Sequence, residues 1–203
     1  MQTWIDDRQG SKDLYFTVNP ASVPFIGPGK VEHIHIRGVT ALQVDLDPSH
    51  CAERKRLLRR LRSFRPAPSL IVDSGGGYQG LWLLDREYPL TDAHTSAPLE
   101  AFNTHIAIQL GGDPCCCPVD TLMRLPGTIN IPDQRKLERG RVAAIARLVE
   151  YHERRRYSLS AFTPVTTLAD EEDWDWDEFP EWERGSSDFT LLPTGSPFEG
   201  IPF

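Results

Sequence analysis

The chain has 203 residues, a length that suits one domain with an appendage. Its hydrophobic content of 39% is enough for a core, and no run of about 18 apolar residues marks a membrane span. The net charge of -7 is unevenly divided: residues 1–169 hold 21 Lys+Arg against 18 Asp+Glu, whereas residues 170–203 hold 1 against 11. The mildly basic body keeps a nucleic-acid partner open despite a whole-chain pI near 5.4. The first residues lack the apolar centre of a signal peptide, so a cytoplasmic location with reduced thiols is expected.

In chain order, Leu14–Val18 reads as a buried strand that Asn19-Pro20 ends, with a Pro/Gly-rich loop running on to Lys30. Gly27-Pro28-Gly29-Lys30 lacks the spacing and the Ser/Thr of a phosphate-binding P-loop, so Lys30 reads as a solvated loop residue. Glu32–Arg37 reads as a strand presenting His33 and His35 on one face. The same His-x-His pattern marks the HUH nucleases of rolling-circle replication, which add a nucleophilic tyrosine on a helix; Tyr151 and Tyr157 are available for that role.

Ala41–Pro48 reads as an apolar strand that ends in Asp45 and Asp47. Positions two apart on a strand project the same way, so two carboxylates leave a buried strand together. Like charges so placed meet water or a cation, and oxygen ligands suit Mg²⁺ or Mn²⁺. Ser49 can cap a helix over residues 50–64, with Leu57, Leu58, Leu61 and Phe64 facing inward. Seven bases from Arg54 to Arg65 stand against the single acid Glu53. This lopsided face points to nucleic-acid backbone, with Arg56, Arg59 and Arg60 as the contacts.

Ser69–Asp73 reads as a second apolar strand, and Gly80–Leu84 as its return. Between them Ser74, Gly75, Gly76, Gly77 and Gln79 form a loop whose glycines let backbone approach an anion closely. Leu99, Phe102, Ile106 and Leu110 have helical spacing, and Gly111-Gly112 ends that helix. Cys115, Cys116 and Cys117 contain no CxxC; they read as incidental thiols, with a zinc site including Cys51 as the other reading. Asp120 and Arg124 are four apart, so a helical turn would place them on one face. Arg124 could then hold a phosphate while Asp120 joins the metal carboxylates, or the two could form a structural ion pair. Ala143–His152 reads as a closing amphipathic helix. From Pro164 onward the chain is acidic and studded with tryptophan, which reads as a flexible tail.

Three blocks in order carry a resemblance. They are Val44-Asp45-Leu46-Asp47-Pro48, the Ser74–Gln79 loop before an apolar strand, and Asp120-x-x-x-Arg124-Leu-Pro-Gly-Thr-Ile-Asn130. Across residues 14–141 this resembles the archaeo-eukaryotic primase (AEP) superfamily, in its plasmid and phage primase-polymerase type. The resemblance implies an α+β core with an RRM-like part, a mixed or antiparallel sheet flanked by helices, over residues 1–163, followed by the acidic tail 164–203. It implies a template-dependent nucleotidyltransferase that adds nucleotides with two divalent metals, acting on single-stranded DNA with nucleoside triphosphates, in plasmid, phage or mobile-element replication. Asp45, Asp47 and Asp120 map to its metal ligands for Mg²⁺ or Mn²⁺, with Asp113 the alternative to Asp120. Ser74, Gly75, Gly76, Gly77, Gln79, Arg124 and Asn130 map to its nucleotide site. Much of the superfamily has histidine where this chain has Gln79, which leaves open a weakly catalytic nucleotide- or DNA-binding subunit. No Walker motif is present, so a helicase would be a separate protein or would lie beyond Phe203. The final Ile201-Pro202-Phe203, after an acidic run, resembles the tip with which bacterial single-strand-binding proteins recruit partners.

Overall fold

A computed structural model describes residues 2–22, 30–48, 53–90, 96–113, 116–138, 140–165 and 190–191. A short helix α1 (Gln2–Asp6) leads to strand β1 (Leu14–Thr17). Then come β2 (Gly38–Leu46), helix α2 (Arg54–Ser63), β3 (Leu70–Asp73), β4 (Tyr78–Pro89) and helix α3 (Ala97–Leu110). The remainder is β5 (Leu122–Arg124), β6 (Ile129–Asn130), α4 (Gln134–Glu138), β7 (Ala144–Ile145), β8 (Arg147–Tyr151), β9 (Arg156–Tyr157) and β10 (Thr190–Leu191).

The central sheet has the order β2-β4-β3-β8, antiparallel throughout, with β9 pairing parallel to β4. Alternation along its strands sends Leu42, Val44 and Leu46 of β2 to one face, and Gln43 and Asp45 to the other. On the first face those residues share a core with Leu57 and Leu61 of α2, Ile106, Ala107 and Leu110 of α3, and Trp82. Gly80 lies under Leu61, where a Cβ would press on that side chain, so α2 can approach the sheet closely. α3 ends on Gly111, whose φ of 63° is the left-handed conformation that glycine adopts without strain. β2 is an edge strand, and three of its N–H groups are taken by side chains. Asn19 Oδ1 accepts from Thr40 and Ala41, and Asn103 Oδ1 accepts from Gln43. These two asparagines blunt an edge that would otherwise invite pairing.

On the other face of the central sheet lies a smaller one, ordered β10-β1-β5, with β1 antiparallel to β5 and parallel to β10. β6 and β7 form a separate two-stranded ribbon. The architecture is therefore α+β, with antiparallel sheets flanked by helices.

Three expected elements differ. Ala143–His152 is not a helix: residues 147–151 form β8 along the outer edge of β3, where its backbone completes a hydrogen-bonding row left open by β4. A short apolar run fits either period, and the unpaired edge decides. His33–His35 form a single 3₁₀ turn rather than a strand. Arg124 lies on β5, not on a helical turn with Asp120. The Ser49 cap, Cys51, Cys115 and the tail apart from residues 164–165 and Thr190–Leu191 lie outside the described residues.

The hairpin between β3 and β4 sits tightly on the end of β2. A Cβ on Gly77 would run into the Leu46 carbonyl oxygen, a backbone atom that cannot swing aside. Gly77→Ala is expected to destabilise the protein by on the order of 2 kcal/mol, read as a lower denaturant midpoint at unchanged slope.

Candidate active site

The site forms where β2 ends against the hairpin that joins β3 to β4. Asp45 is the penultimate residue of β2 and lies directly across from Gln79 of β4. Asp47 lies just past the strand and is exposed. Asp45 Oδ1 is sealed from solvent and has no hydrogen-bond partner. Burial, then the charges of Asp47 and Asp113, push the Asp45 carboxyl up to about 7, while hydrogen bonds from Gln79 and the Leu46 backbone oppose the rise. Asp113 is held there because its N–H donates to the Asp45 carbonyl oxygen at 3.1 Å.

The glycine loop is shaped by its own neighbours. Gly75 N–H donates to Asp73 Oδ1 and Gly77 N–H donates to Ser74 Oγ, at 2.8 and 2.9 Å. Arg54, at the start of α2, reaches both Asp73 carboxylate oxygens at 2.8 Å and the Gly76 carbonyl at 2.6 Å. Its guanidinium also stacks 4.9 Å from the Tyr78 ring. Gly76 faces the carboxylate side: a Cβ there would stand against the Arg141 guanidinium, with Asp47 Oδ1 at 3.5 Å. Arg141 in turn pairs with Asp47 at 3.3 Å.

Arg124 is 5% exposed and joins three parts of the chain. It pairs with Asp13 at 2.6 Å, donates to Tyr15 Oη at 2.7 Å and to Asn130 Oδ1 at 3.0 Å, and lies 4.1 Å from the Tyr15 ring centre. Asn130 then donates to the Ser74 carbonyl at 2.7 Å. Arg124 N–H donates to Gln79 Oε1 at 3.0 Å. Tyr15 is pushed up to about 12, mainly by burial; Arg124 opposes this, while Asp13 and Asp45 add to it. A buried guanidinium with several partners is a strut: its Nη2 holds Asn130, and through it Ser74, while the Arg124 backbone N–H holds Gln79; Nη1 pairs with Asp13 by charge but has no hydrogen-bond partner.

The expected residues Asp45, Asp47, Ser74, Gly75, Gly76, Gly77, Gln79, Arg124 and Asn130 are thus brought together. Asp120 is not joined to them by any contact described: its carboxylate pairs with Lys30 at 3.5 Å, which makes Lys30 more than a solvated loop residue. Arg56, Arg59 and Arg60 lie along α2, away from its buried Leu57 and Leu61. Arg56 pairs with Glu53 at 3.1 Å, Arg60 donates to the Gln109 carbonyl at 3.2 Å, and Arg59 is exposed. Asp13, Tyr15, Arg54 and Arg141 belong to the site but were missed in the sequence, because no local motif ties them to residues far along the chain. His33 faces Glu100 at 3.5 Å, and Tyr151 and Tyr157 lie on strands β8 and β9, so the helical tyrosine of an HUH nuclease has no counterpart among the two.

Among the described residues, no set of three or more His, Cys, Asp or Glu side chains is gathered as a metal-binding group. The fit is to a cation that takes one or two carboxylates and fills its shell with water or phosphate oxygens, as Mg²⁺ does. The partnerless Asp45 oxygen, facing two other acids, suits such an ion. Cys116 donates to Asp113 at 3.6 Å, and burial, followed by the charges of Asp45 and Asp113, raises its pKa well above the usual thiol value. It is therefore a protonated thiol and a poor metal ligand or nucleophile.

The raised Asp45 pKa has a consequence for stability. The folded value near 7 exceeds the unfolded value of about 4, so the folded state binds the proton more tightly. The resulting stabilisation is complete below about pH 4 and is lost as pH rises to about 7. In metal-free buffer, Asp45→Asn should flatten this slope and be more stable than the unmutated protein at pH 8, by on the order of 2 kcal/mol. Denaturant unfolding with chelator at pH 5 and pH 8 checks it.

The sequence model of the RepB DNA-primase N-terminal domain matches residues 31–168. No curated protein matches the chain. Among solved structures, the AEP domain of the cyanophage S-2L primase-polymerase (PrimPol) is similar with a TM-score of 0.54 at 16% identity, over 79% of this chain and 74% of that one. Primase RepB' is similar at 0.43 and 15% identity, over 62% of this chain and 37% of that one. The catalytic domain of primase RepB' in complex with initiator DNA is similar at 0.41 and 16% identity, over 62% and 55%. With its family match spanning more than half of its length and an AEP-domain fold, the chain belongs to the RepB DNA-primase N-terminal domain family.

Proposed function

We propose that this domain is a primase-type nucleotidyltransferase that adds nucleotides to a growing strand on a single-stranded DNA template. The observation that carries the reading is the sealed, partnerless Asp45 oxygen beside Asp47 and Asp113, at the lip of a glycine loop. Asp45 and Asp47 would hold Mg²⁺ or Mn²⁺. Asp113 is the third acid we favour, because its charge acts on Asp45 while Asp120 is paired with Lys30. Bound there, the cation would supply Lewis acidity towards the phosphate oxygens and a lowered pKa for an attacking hydroxyl.

In the reaction a 3′-hydroxyl oxygen forms a bond to the α-phosphorus of the incoming triphosphate. The bond to the bridging oxygen breaks, pyrophosphate leaves, and the hydroxyl proton passes to solvent. The chain's residues serve this by position and charge. Gly76 keeps clear the space between Asp47 and Arg141 that a side chain would fill. Arg141 is the cation best placed to turn from Asp47 towards a triphosphate, since Arg124 is buried and engaged. Ser74 and Asn130 fix the loop beneath it. The basic face of α2, with Arg56 and Arg59 exposed and Arg60 half-buried beside them, would follow the DNA backbone. Residues 1–163 would form the catalytic domain and 164–203 the acidic tail, whose Ile201-Pro202-Phe203 end is a candidate partner motif. A separate helicase, and a setting in plasmid, phage or mobile-element replication, complete the reading.

Incorporation of labelled nucleotides on single-stranded template, with and without primer and with Mg²⁺ or Mn²⁺, tests it. Metal-dependent synthesis that falls at least a hundredfold in Asp45→Asn is the expected result. Folded protein that makes no product with either metal would sink the reading. Gly76→Val gives a second measure. Its side chain meets the movable ends of Arg141 and Asp47, so the fold should survive while KM for the triphosphate rises about tenfold or more.

A further inference from the structure

Gln79 stands where much of the wider superfamily carries a nucleotide-contacting histidine, and its surroundings give it another task. It is 4% exposed, in mid-sheet, between Asp45 of β2 and Val72 of β3. The orientation of its amide follows from its partners. The Arg124 backbone N–H, 3.0 Å away, can only donate, so the oxygen must face it. The NH₂ group is left for the Asp45 carboxylate, to which the Gln79 side chain is hydrogen-bonded. Each end of the amide therefore has a partner within the protein: the oxygen on the Arg124 N–H, and one of the two N–H groups on the Asp45 carboxylate directly across the strand pair.

We propose that Gln79 is a positioning residue: it ties the Asp45 carboxylate to the backbone of β5 and takes no direct part in binding the nucleotide. The inference rests on the polymerase reading, in which Asp45 is a metal ligand. A neutral amide suits this task. It accepts from one fixed donor and donates to one fixed carboxylate, and it remains uncharged throughout the working pH range. One rotamer of Asp45 is thereby selected, the one that leaves Oδ1 free of protein partners. Groups that orient a ligand in this way typically change metal affinity by about 10- to 100-fold when removed. The coupling also reaches further, because Arg124 is bound to Asp13, Tyr15 and Asn130, so Asp45 is braced against the second sheet.

The test is Mn²⁺ binding without nucleotide, by titration calorimetry, together with nucleotide affinity at saturating Mn²⁺. Gln79→Met keeps the length and removes both hydrogen bonds. It should weaken Mn²⁺ by at least tenfold and leave nucleotide affinity at saturating metal within about twofold. If Mn²⁺ affinity holds and nucleotide affinity falls instead, Gln79 is a nucleotide contact and the proposal is overturned. If Gln79→Met does not fold, Gln79→Asn carries the same expectation, because its amide is one methylene too short to span both partners. A failure to bind Mn²⁺ by the unmutated protein, checked against Asp45→Asn, would overturn the metal reading of Asp45 and this proposal with it. Mn²⁺ binding that Asp45→Asn abolishes and Gln79→Met leaves unchanged would overturn this proposal alone.

Discussion

The structure depends on keeping a carboxylate where water reaches poorly. Asp45 lies at the end of a strand whose neighbours Val44 and Leu46 are among the most buried residues of the core. Its charge is opposed there by desolvation and by two further acids. Such an arrangement is unfavourable unless a proton or a cation offsets it, because like charges in a poorly solvated place cannot all ionise freely. The core thus holds Asp45 in place, and its ionised form carries a cost there.

The surrounding residues oppose that strain by fixing geometry. Arg124 gathers Asp13, Tyr15 and Asn130 at its guanidinium and Gln79 at its backbone N–H, so β1, β4, β5 and β6 meet at one buried arginine. Arg54 does the same for the glycine loop from the start of α2. In both cases an arginine's planar fork meets several acceptors at once, which a lysine could not reproduce. Arg141, more exposed than Arg124, pairs with Asp47 over 3.3 Å.

The basic helix divides its charges between structure and surface. Arg54 is spent on the loop, Arg62 pairs with Glu150 at 2.5 Å, and Arg60 reaches the end of α3. Those contacts tie α2 to β8 and α3 while Leu57 and Leu61 anchor it to the sheet. Lys55 and Arg59 lie exposed. A count of positive charges along this helix therefore overstates what is available to a phosphate backbone.

Much of the design was legible along the chain. The apolar run into Asp45 and the glycine loop before β4 stand where reading by period and by turn chemistry put them, whereas Arg124 lies on a strand and not on the helical turn expected for it. Family resemblance followed from their order. These features are local, since alternation, glycine content and carboxylate spacing are set within a few residues. The tertiary structure alone decided which charges meet. Arg124 pairs with Asp13, more than a hundred residues away, and not with Asp120; Asp113 rather than Asp120 acts on Asp45; residues 147–151 became a strand because β3 had an open edge. Ion-pair choice and edge pairing depend on which surfaces come together when the sheets pack, and a sequence pattern carries no record of that distance.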